Sequence, residues 1–222
     1  MYPILRRVRA FAAAASACAV IGAASAAAAV VQPTISTDRS CYVVGQAIQL
    51  SGQGFAPSRT YVVSVDGVLL GNRTTDSAGN FAIPVHPGGL PAGTAQHIDH
   101  IRVTDGTTEA ATLFTVTRKA GAQIVTSGTT ASSLQARFYV WGFSLGGTPR
   151  PVYVHYVAPS GRQQARTFLG QTGGSCGYIT TPRRKLFPFS LSPGSWTLQV
   201  DTQKSYARHP GGPVTRIKVT IP

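Results

Sequence analysis

The sequence predicts an all-β protein with two tandem β-sandwich domains behind an N-terminal export signal. Composition and a repeated order of strands and turns lead to this expectation. The 222 residues include 24 glycines and 15 prolines but only one methionine. Turn-forming residues in this abundance favour short strands joined by turns over helices.

The N-terminus has the layout of a signal peptide. Arg6, Arg7 and Arg9 form a basic stretch, and residues 11–31 then carry no charge. Ala27-Ala28-Ala29 supplies the A-x-A pattern of a cleavage site. We therefore expect residues 1–29 to be removed near Ala29 or Val30, and the product to be secreted, with cell-envelope association left open.

The sequence allows two alternatives to cleavage at this site. A lipoprotein anchored through Cys18 lacks the usual preceding leucine, and the apolar run continues well past that cysteine. An uncleaved anchor from Phe11 to Val31 approaches the roughly 20 residues needed to span a bilayer, but it is rich in alanine. No later segment is long and apolar enough, so we expect no stable membrane span after cleavage.

Residues 30–119 are predicted to form the first domain. Ile48 and Leu50 alternate with polar neighbours, as in a half-buried strand. The next strand, from Tyr61 to Val65, leads into Asp66-Gly67, which is a two-residue hairpin signal. Turns at short intervals continue to the end of this half, and about seven strands of this kind describe a sandwich.

Residues 120–222 repeat this order and are predicted to form a second domain. Gly142-Phe143 matches Gly54-Phe55, and Gly177-Tyr178 stands where Gly79-Asn80-Phe81 stood. The spacing between matched positions grows along the chain, as loop insertions in the second copy would produce. The preserved order indicates a duplication with its boundary near residues 118–122.

The first half resembles the immunoglobulin-like domains of secreted bacterial proteins. The resemblance rests on the string from Gly45 to Phe55 and on Thr75-Asp76-Ser77-Ala78-Gly79-Asn80-Phe81. It covers most of residues 33–117 and weakens over 123–222. It implies two immunoglobulin-like sandwiches and an extracellular location, and it implies no reaction.

Charge is distributed unevenly between the halves. Residues 30–117 hold four Arg against six acidic residues, a net charge of −2, whereas residues 118–222 hold thirteen Lys and Arg against Asp201 alone, a net charge of +12. Such a field attracts polyanions, although it also keeps a secreted protein soluble. The candidate binding residues are Arg150, Arg162, Arg166, Arg183, Arg184 and Lys185.

Tyr139, Trp141 and Tyr153 are candidate stacking surfaces beside these cations. The partner class that fits is an anionic cell-envelope polymer or another surface protein, and export weighs against nucleic acid. The simpler interpretation, with solvated arginines and aromatics in the core, stays open. A structural role in protein–protein contact through exposed edge strands is the alternative function.

Two cysteines remain after cleavage of the signal, Cys41 in the first half and Cys176 in the second. An even number in an oxidising compartment favours a disulfide. Because each lies in a different predicted domain, a bond would join the two domains or two chains.

Neither catalysis nor a metal or cofactor is predicted. Ser144 lies in a G-x-S-x-G match, followed in hydrolase order by Asp201 and His209, but the helix that such an elbow requires does not follow. An exported serine hydrolase is therefore only a remote alternative. His97 and His100 flank Asp99, yet on a strand the two histidines point to opposite faces, so no metal ligand set is expected.

Overall fold

The computed structural model of the chain describes residues 32–86, 88–130 and 133–222, and sixteen strands lie within them. These described residues contain no helix, and hence none that could cross a membrane. The predicted all-β fold is confirmed. The predicted signal peptide and Cys18 lie outside the described residues.

The first half is an immunoglobulin-like sandwich of two sheets. One sheet has the order β1-β3-β6, and the other has the order β2-β8-β7-β4-β5, in which β2 runs parallel to β8. The strands are β1 (Thr34–Thr37), β2 (Cys41–Val43), β3 (Ile48–Gln53), β4 (Thr60–Val65), β5 (Val68–Thr74), β6 (Phe81–Val85), β7 (Gln96–Thr104) and β8 (Glu109–Thr117).

The second half is a sandwich of the same kind. In one sheet β9, β13 and β14 all pair with β10, and the other sheet has the order β12-β11-β15-β16. The strands are β9 (Gly121–Ser127), β10 (Gln135–Trp141), β11 (Pro151–Val157), β12 (Gln163–Gln171), β13 (Ile179–Thr180), β14 (Arg184–Lys185), β15 (Gly194–Asp201) and β16 (Val214–Ile221).

The two sandwiches share one strand order. The run β5-β4-β7-β8 corresponds to β12-β11-β15-β16, and β1-β3-β6 corresponds to β9-β10-β13. The turn glycines correspond as well, because Gly54 and Gly142 have φ angles of 80° and 73°. Among the described strands, only β2 and β14 have no counterpart in the other half.

Each sandwich has its own hydrophobic core. In the first, the ring of Phe81 stacks on Tyr61 with centroids 4.2 Å apart, and Gly52 lies beneath it, where a Cβ would come within 2.1 Å of the ring. In the second, Trp196 packs beside Phe187 and Phe189. The two core clusters share no residue.

Covalent and polar contacts join the sandwiches at one place. Cys41 at the start of β2 forms a disulfide with Cys176, and their Cα atoms are 5.3 Å apart. Beside it, the hydroxyl oxygens of Thr115 and Ser175 lie 2.7 Å apart, and the Gln96 side-chain amide donates to the Cys176 carbonyl. Residues 32–222 accordingly form one unit.

Candidate functional site

The outer face of the sheet β12-β11-β15-β16 is unusually polar. Alternation along β11 turns Val154 toward the core and leaves Tyr153 and His155 on the outer side. In the sheet register, His155 lies between Arg166 of β12 and Gln199 of β15. A row of polar side chains therefore crosses this face.

The loop of residues 202–213, between β15 and β16, folds back over this row. Arg166 Nη1 donates to the Lys204 carbonyl at 2.6 Å, and Gln199 Nε2 donates to the Ala207 carbonyl at 2.9 Å. Arg216 Nη2 donates to the carbonyl of Arg208. These bonds hold the loop against the sheet at three points.

The loop buries a histidine–aspartate pair. His155 and Asp201 are 0% and 1% exposed. Nε2 of His155 lies 3.3 Å from Oδ1 of Asp201 and 3.0 Å from the Gln203 carbonyl oxygen, while Nδ1 faces the amide nitrogen of Gln163. Two acceptors at Nε2 and a donor at Nδ1 match the tautomer that carries its proton on Nε2.

Six exposed cations surround this covered row, and we call them the basic face. Arg216 and Lys218 alternate along β16 on the outer side. A Cβ at Gly161 would lie 3.9 Å from Nη2 of Arg208, which places the loop beside the β11–β12 turn. The basic face comprises Arg162, Arg166, Lys204, Arg208, Arg216 and Lys218.

No carboxylate neutralises the basic face. The only acidic residue after position 117 is Asp201, and its carboxylate is buried with His155, Gln199 and Gln203 as partners. Within the described residues, none of the thirteen Lys and Arg of the second sandwich forms an ion pair. The positive potential of this face is therefore presented directly to solvent.

Aromatic rings lie beside these cations. The Arg166 guanidinium lies 5.5 Å from the centroid of the Tyr153 ring, which is within the range of a cation–π interaction. Phe168 packs next to Tyr153 with ring centroids 5.4 Å apart, and 48% of its surface is exposed. The face thus offers both charge and an apolar surface.

The six cations singled out from the sequence do not form one patch. Arg162 and Arg166 belong to the basic face. Arg183 donates to Ser127 Oγ and Lys185 pairs with Gln135, so both lie on the other sheet. Arg184 reaches the Phe168 carbonyl at the border between the sheets, and Arg150 lies at the opposite end of β11 from Arg162.

Sequence reasoning missed four members of the basic face. Arg216 and Lys218 are two positions apart on the last strand, and this spacing could have predicted that they share a face. Lys204 and Arg208 gave no such signal, because their position depends on how the loop folds back over the sheet.

The hydrolase-like residues do not assemble. Ser144 is 4% exposed, and its hydroxyl donates to the Thr148 carbonyl. Asp201 bonds to His155 in the buried network rather than to His209, which is an exposed residue of the loop. A strand rather than a helix follows the Ser144 turn, as the sequence indicated.

The His97–His100 segment is organised differently from its sequence pattern. His97 and Asp99 share one side of β7, and their third neighbour is Asp66 of the β4–β5 turn. The pKa of Asp66 is lowered, chiefly because its carboxylate accepts the backbone N–H of His100. The pKa of Asp99 is raised, chiefly because its carboxylate is buried and secondly because the negative charge of Asp66 lies nearby.

No protein-family model matches the chain, and no curated protein matches it. Among solved structures, the chain is similar to a mutant of alpha-2-macroglobulin from Salmonella at 14% identity and a TM-score of 0.30. The match covers 86% of this chain and 15% of that one. The chain therefore spans a small part of that protein's length.

Proposed function

We propose that the protein is an exported, non-enzymatic binding protein whose basic face contacts an anionic polymer of the cell envelope. The observation that carries the proposal is the basic face itself, six exposed cations around a sheet whose only carboxylate is buried. Exposed charges of one sign raise the local concentration of an oppositely charged polymer and speed its association.

Rigid placement of the cations supports this function. Arg166 and Arg216 donate to loop carbonyls, so part of each guanidinium is fixed while its charge stays unpaired. Cations that are already positioned lose less side-chain entropy when they bind a polymer. The aromatic pair Tyr153 and Phe168 adds an apolar surface beside them.

The test is binding of the oxidised chain, produced without residues 1–29, to poly(glycerol phosphate), with uncharged dextran for comparison. Lys204→Gln, Arg208→Gln and Lys218→Gln together remove three charges whose side chains make no hydrogen bond in the described structure. At about 0.5 kcal/mol for each exposed contact, affinity falls about tenfold. High salt lowers the affinity of the unmodified protein as well.

A matched control separates position from net charge. Lys119→Gln, Arg150→Gln and Lys185→Gln remove the same number of charges from sites outside the basic face. We expect this variant to keep nearly the affinity of the unmodified protein. Equal loss in both triple variants, or equal binding to dextran, would show that the basic face is not the binding site.

A second candidate is protein–protein contact through the edge strand β5. Val68 and Leu69 are each 65% exposed on this strand, which pairs on one side with β4 and ends the sheet on the other. An open edge with apolar side chains is a template for strand addition. Under this function, the unmodified protein captures a partner from envelope extracts at low and at high salt. Leu69→Lys abolishes this capture.

A further inference from the structure

Three side chains of metal-binding types lie close together in the first sandwich. Nε2 of His97 lies 3.0 Å from Oδ2 of Asp66 and 3.4 Å from Oδ1 of Asp99. The three potential ligand atoms all lie within 4.8 Å of one another. One imidazole and two carboxylates thus converge on one point.

The fold places these residues together for simple reasons. His97 and Asp99 are two positions apart on β7 and therefore project from the same face. The antiparallel register sets Val65 at the end of β4 opposite Ile101, so Asp66 follows directly beside β7. There the backbone N–H of Asp66 donates to the His100 carbonyl, and the His100 N–H donates to Oδ1 of Asp66.

The distances suit a small divalent ion. Zn²⁺ binds nitrogen and oxygen ligands at about 2.0–2.2 Å, and tetrahedral geometry at that length separates ligand atoms by about 3.3 Å. His97 Nε2 lies 3.0 Å from Asp66 Oδ2, within hydrogen-bonding distance, and 3.4 Å from Asp99 Oδ1, so these two separations bracket that value. An imidazole among the ligands favours Zn²⁺ and similar transition ions over Ca²⁺ and Mg²⁺, which prefer oxygen alone.

Among the described residues, the imidazole of His97 is the only ion-pairing partner of the two carboxylates. Asp99 is 7% exposed and Asp66 lies beside it, and two neighbouring carboxylates repel each other strongly in a partly dry site. In the described residues, no arginine of the first sandwich forms an ion pair with Asp66 or Asp99. A bound divalent cation would neutralise the pair.

The group opens into a cleft that leaves room for a fourth ligand. The cleft has a volume of about 320 Å³, and Asp66, His97 and Asp99 line it together with His86. Val65 and Val68 supply apolar wall, which lowers the local dielectric constant. His86, directly after β6, lines the same cleft but lies outside the group of three converging ligand atoms.

We propose that Asp66, His97 and Asp99 form a binding site for a divalent transition-metal ion of the Zn²⁺ class, with the remaining position open to the cleft. Three protein ligands around an open position are also the arrangement in which a bound metal ion can accept an outside ligand. The site belongs to the first sandwich and is independent of the basic face.

The test is equilibrium dialysis of the oxidised chain against Zn²⁺ alone, with bound metal measured by elemental analysis. We expect one ion per chain. Asp66→Asn is the principal variant, because asparagine tolerates the left-handed conformation of this turn position (φ 47°), so folding is preserved. It should weaken Zn²⁺ binding at least tenfold, and His97→Gln should do the same.

His100→Gln and His209→Gln are the matched controls, because these exposed histidines lie outside the group. His86→Gln should weaken binding less than His97→Gln. Co²⁺ bound in place of Zn²⁺ should show the visible spectrum of nitrogen and oxygen ligation, and Asp66→Asn should remove that spectrum. The proposal is overturned if no stoichiometric Zn²⁺ binds, if only the control variants lose binding, or if Ca²⁺ binds in preference to Zn²⁺.

Discussion

Oδ1 of Asp201 lies 3.3 Å from Nε2 of His155, and both side chains are buried beneath the loop of residues 202–213. The same carboxylate accepts the backbone N–H of Gln203 at 2.8 Å and the side-chain amide of Gln199 at 2.7 Å. One acidic side chain therefore ties the start of the loop to β11 and β15. The position of the basic face depends on this network.

Asp201→Ala should lower the free energy of unfolding by about 3 kcal/mol, because it removes the buried carboxylate that accepts from His155, Gln199 and the backbone N–H of Gln203. Urea unfolding followed by tryptophan fluorescence measures this, since Trp141 and Trp196 both lie in the second sandwich. Hydrogen exchange in residues 202–213 should accelerate. Ser205→Ala, an exposed change in the same loop, should leave both measurements unchanged.

Gly79 should be far less replaceable than Gly93, although both have a φ angle of 79°. A Cβ at Gly79 would lie 2.0 Å from the Phe55 carbonyl oxygen, whereas a Cβ at Gly93 meets nothing within 4 Å. Gly93→Ala should therefore lower the free energy of unfolding only by the strain of a left-handed alanine, about 1 kcal/mol. Gly79→Ala should lower it by at least about 2 kcal/mol more, because its Cβ also collides with the backbone. Equal losses in urea unfolding followed by far-UV circular dichroism would contradict this.

Gly79 also shows why the fold could be predicted from the sequence. Turn glycines, hairpin signals such as Asp66-Gly67 and the alternation of Ile48 with Leu50 are local, and each has a conformational cause. The order of such local signals along the chain predicted two sandwiches built from a repeated succession of strands and turns. Extra pairings such as β2 with β8 were not predicted, because a three-residue strand leaves no periodic pattern.

The candidate sites could be predicted less well from the sequence, because they depend on contacts between residues that are distant along the chain. Asp66 is separated from His97 by 31 positions, and its sequence context indicates only a turn. The run from Arg183 to Lys185 was singled out for its density, yet strand pairing directs these side chains to the other sheet and its border. Charge on a surface follows from register and loop folding, which composition does not encode.

Asp105 should make the stability of the first sandwich depend on acid pH. Its carboxylate accepts the backbone N–H groups of Thr108 and Thr107, at 2.8 and 2.9 Å, and the Thr107 hydroxyl. These bonds, led by that of Thr108, hold its pKa well below the ordinary value. A lowered folded-state pKa contributes stability above the unfolded-state value of about 3.9, and that stability is lost as the pH falls further.

Melting temperatures of the unmodified protein and Asp105→Asn should therefore differ most at neutral pH and converge as the pH is lowered below about 4. Glu109→Gln controls for the change in net charge, because its carboxylate faces Arg102 at the surface and accepts no such set of backbone bonds. A difference between Asp105→Asn and the unmodified protein that stays constant from pH 7 to the acid end would count against this account.

Removing the disulfide should both destabilise the protein and uncouple its halves. Cys41 and Cys176 are 135 positions apart, and loss of a cross-link typically costs about 2–5 kcal/mol. Because the two cores share no residue, Cys41→Ser with Cys176→Ser should separate the unfolding transitions. Tryptophan fluorescence, which reports the second sandwich, should then diverge from far-UV circular dichroism, which reports both.

Thr115→Val with Ser175→Ala is the matched control for this variant, since it removes only the 2.7 Å hydroxyl contact beside the disulfide. It should lower stability by about 1 kcal/mol and keep the two signals coincident. Coincident transitions in the cysteine-free variant would mean that the non-covalent contacts, such as the Gln96 bond to the Cys176 carbonyl, suffice to couple the sandwiches. In that case the disulfide would add stability without setting cooperativity.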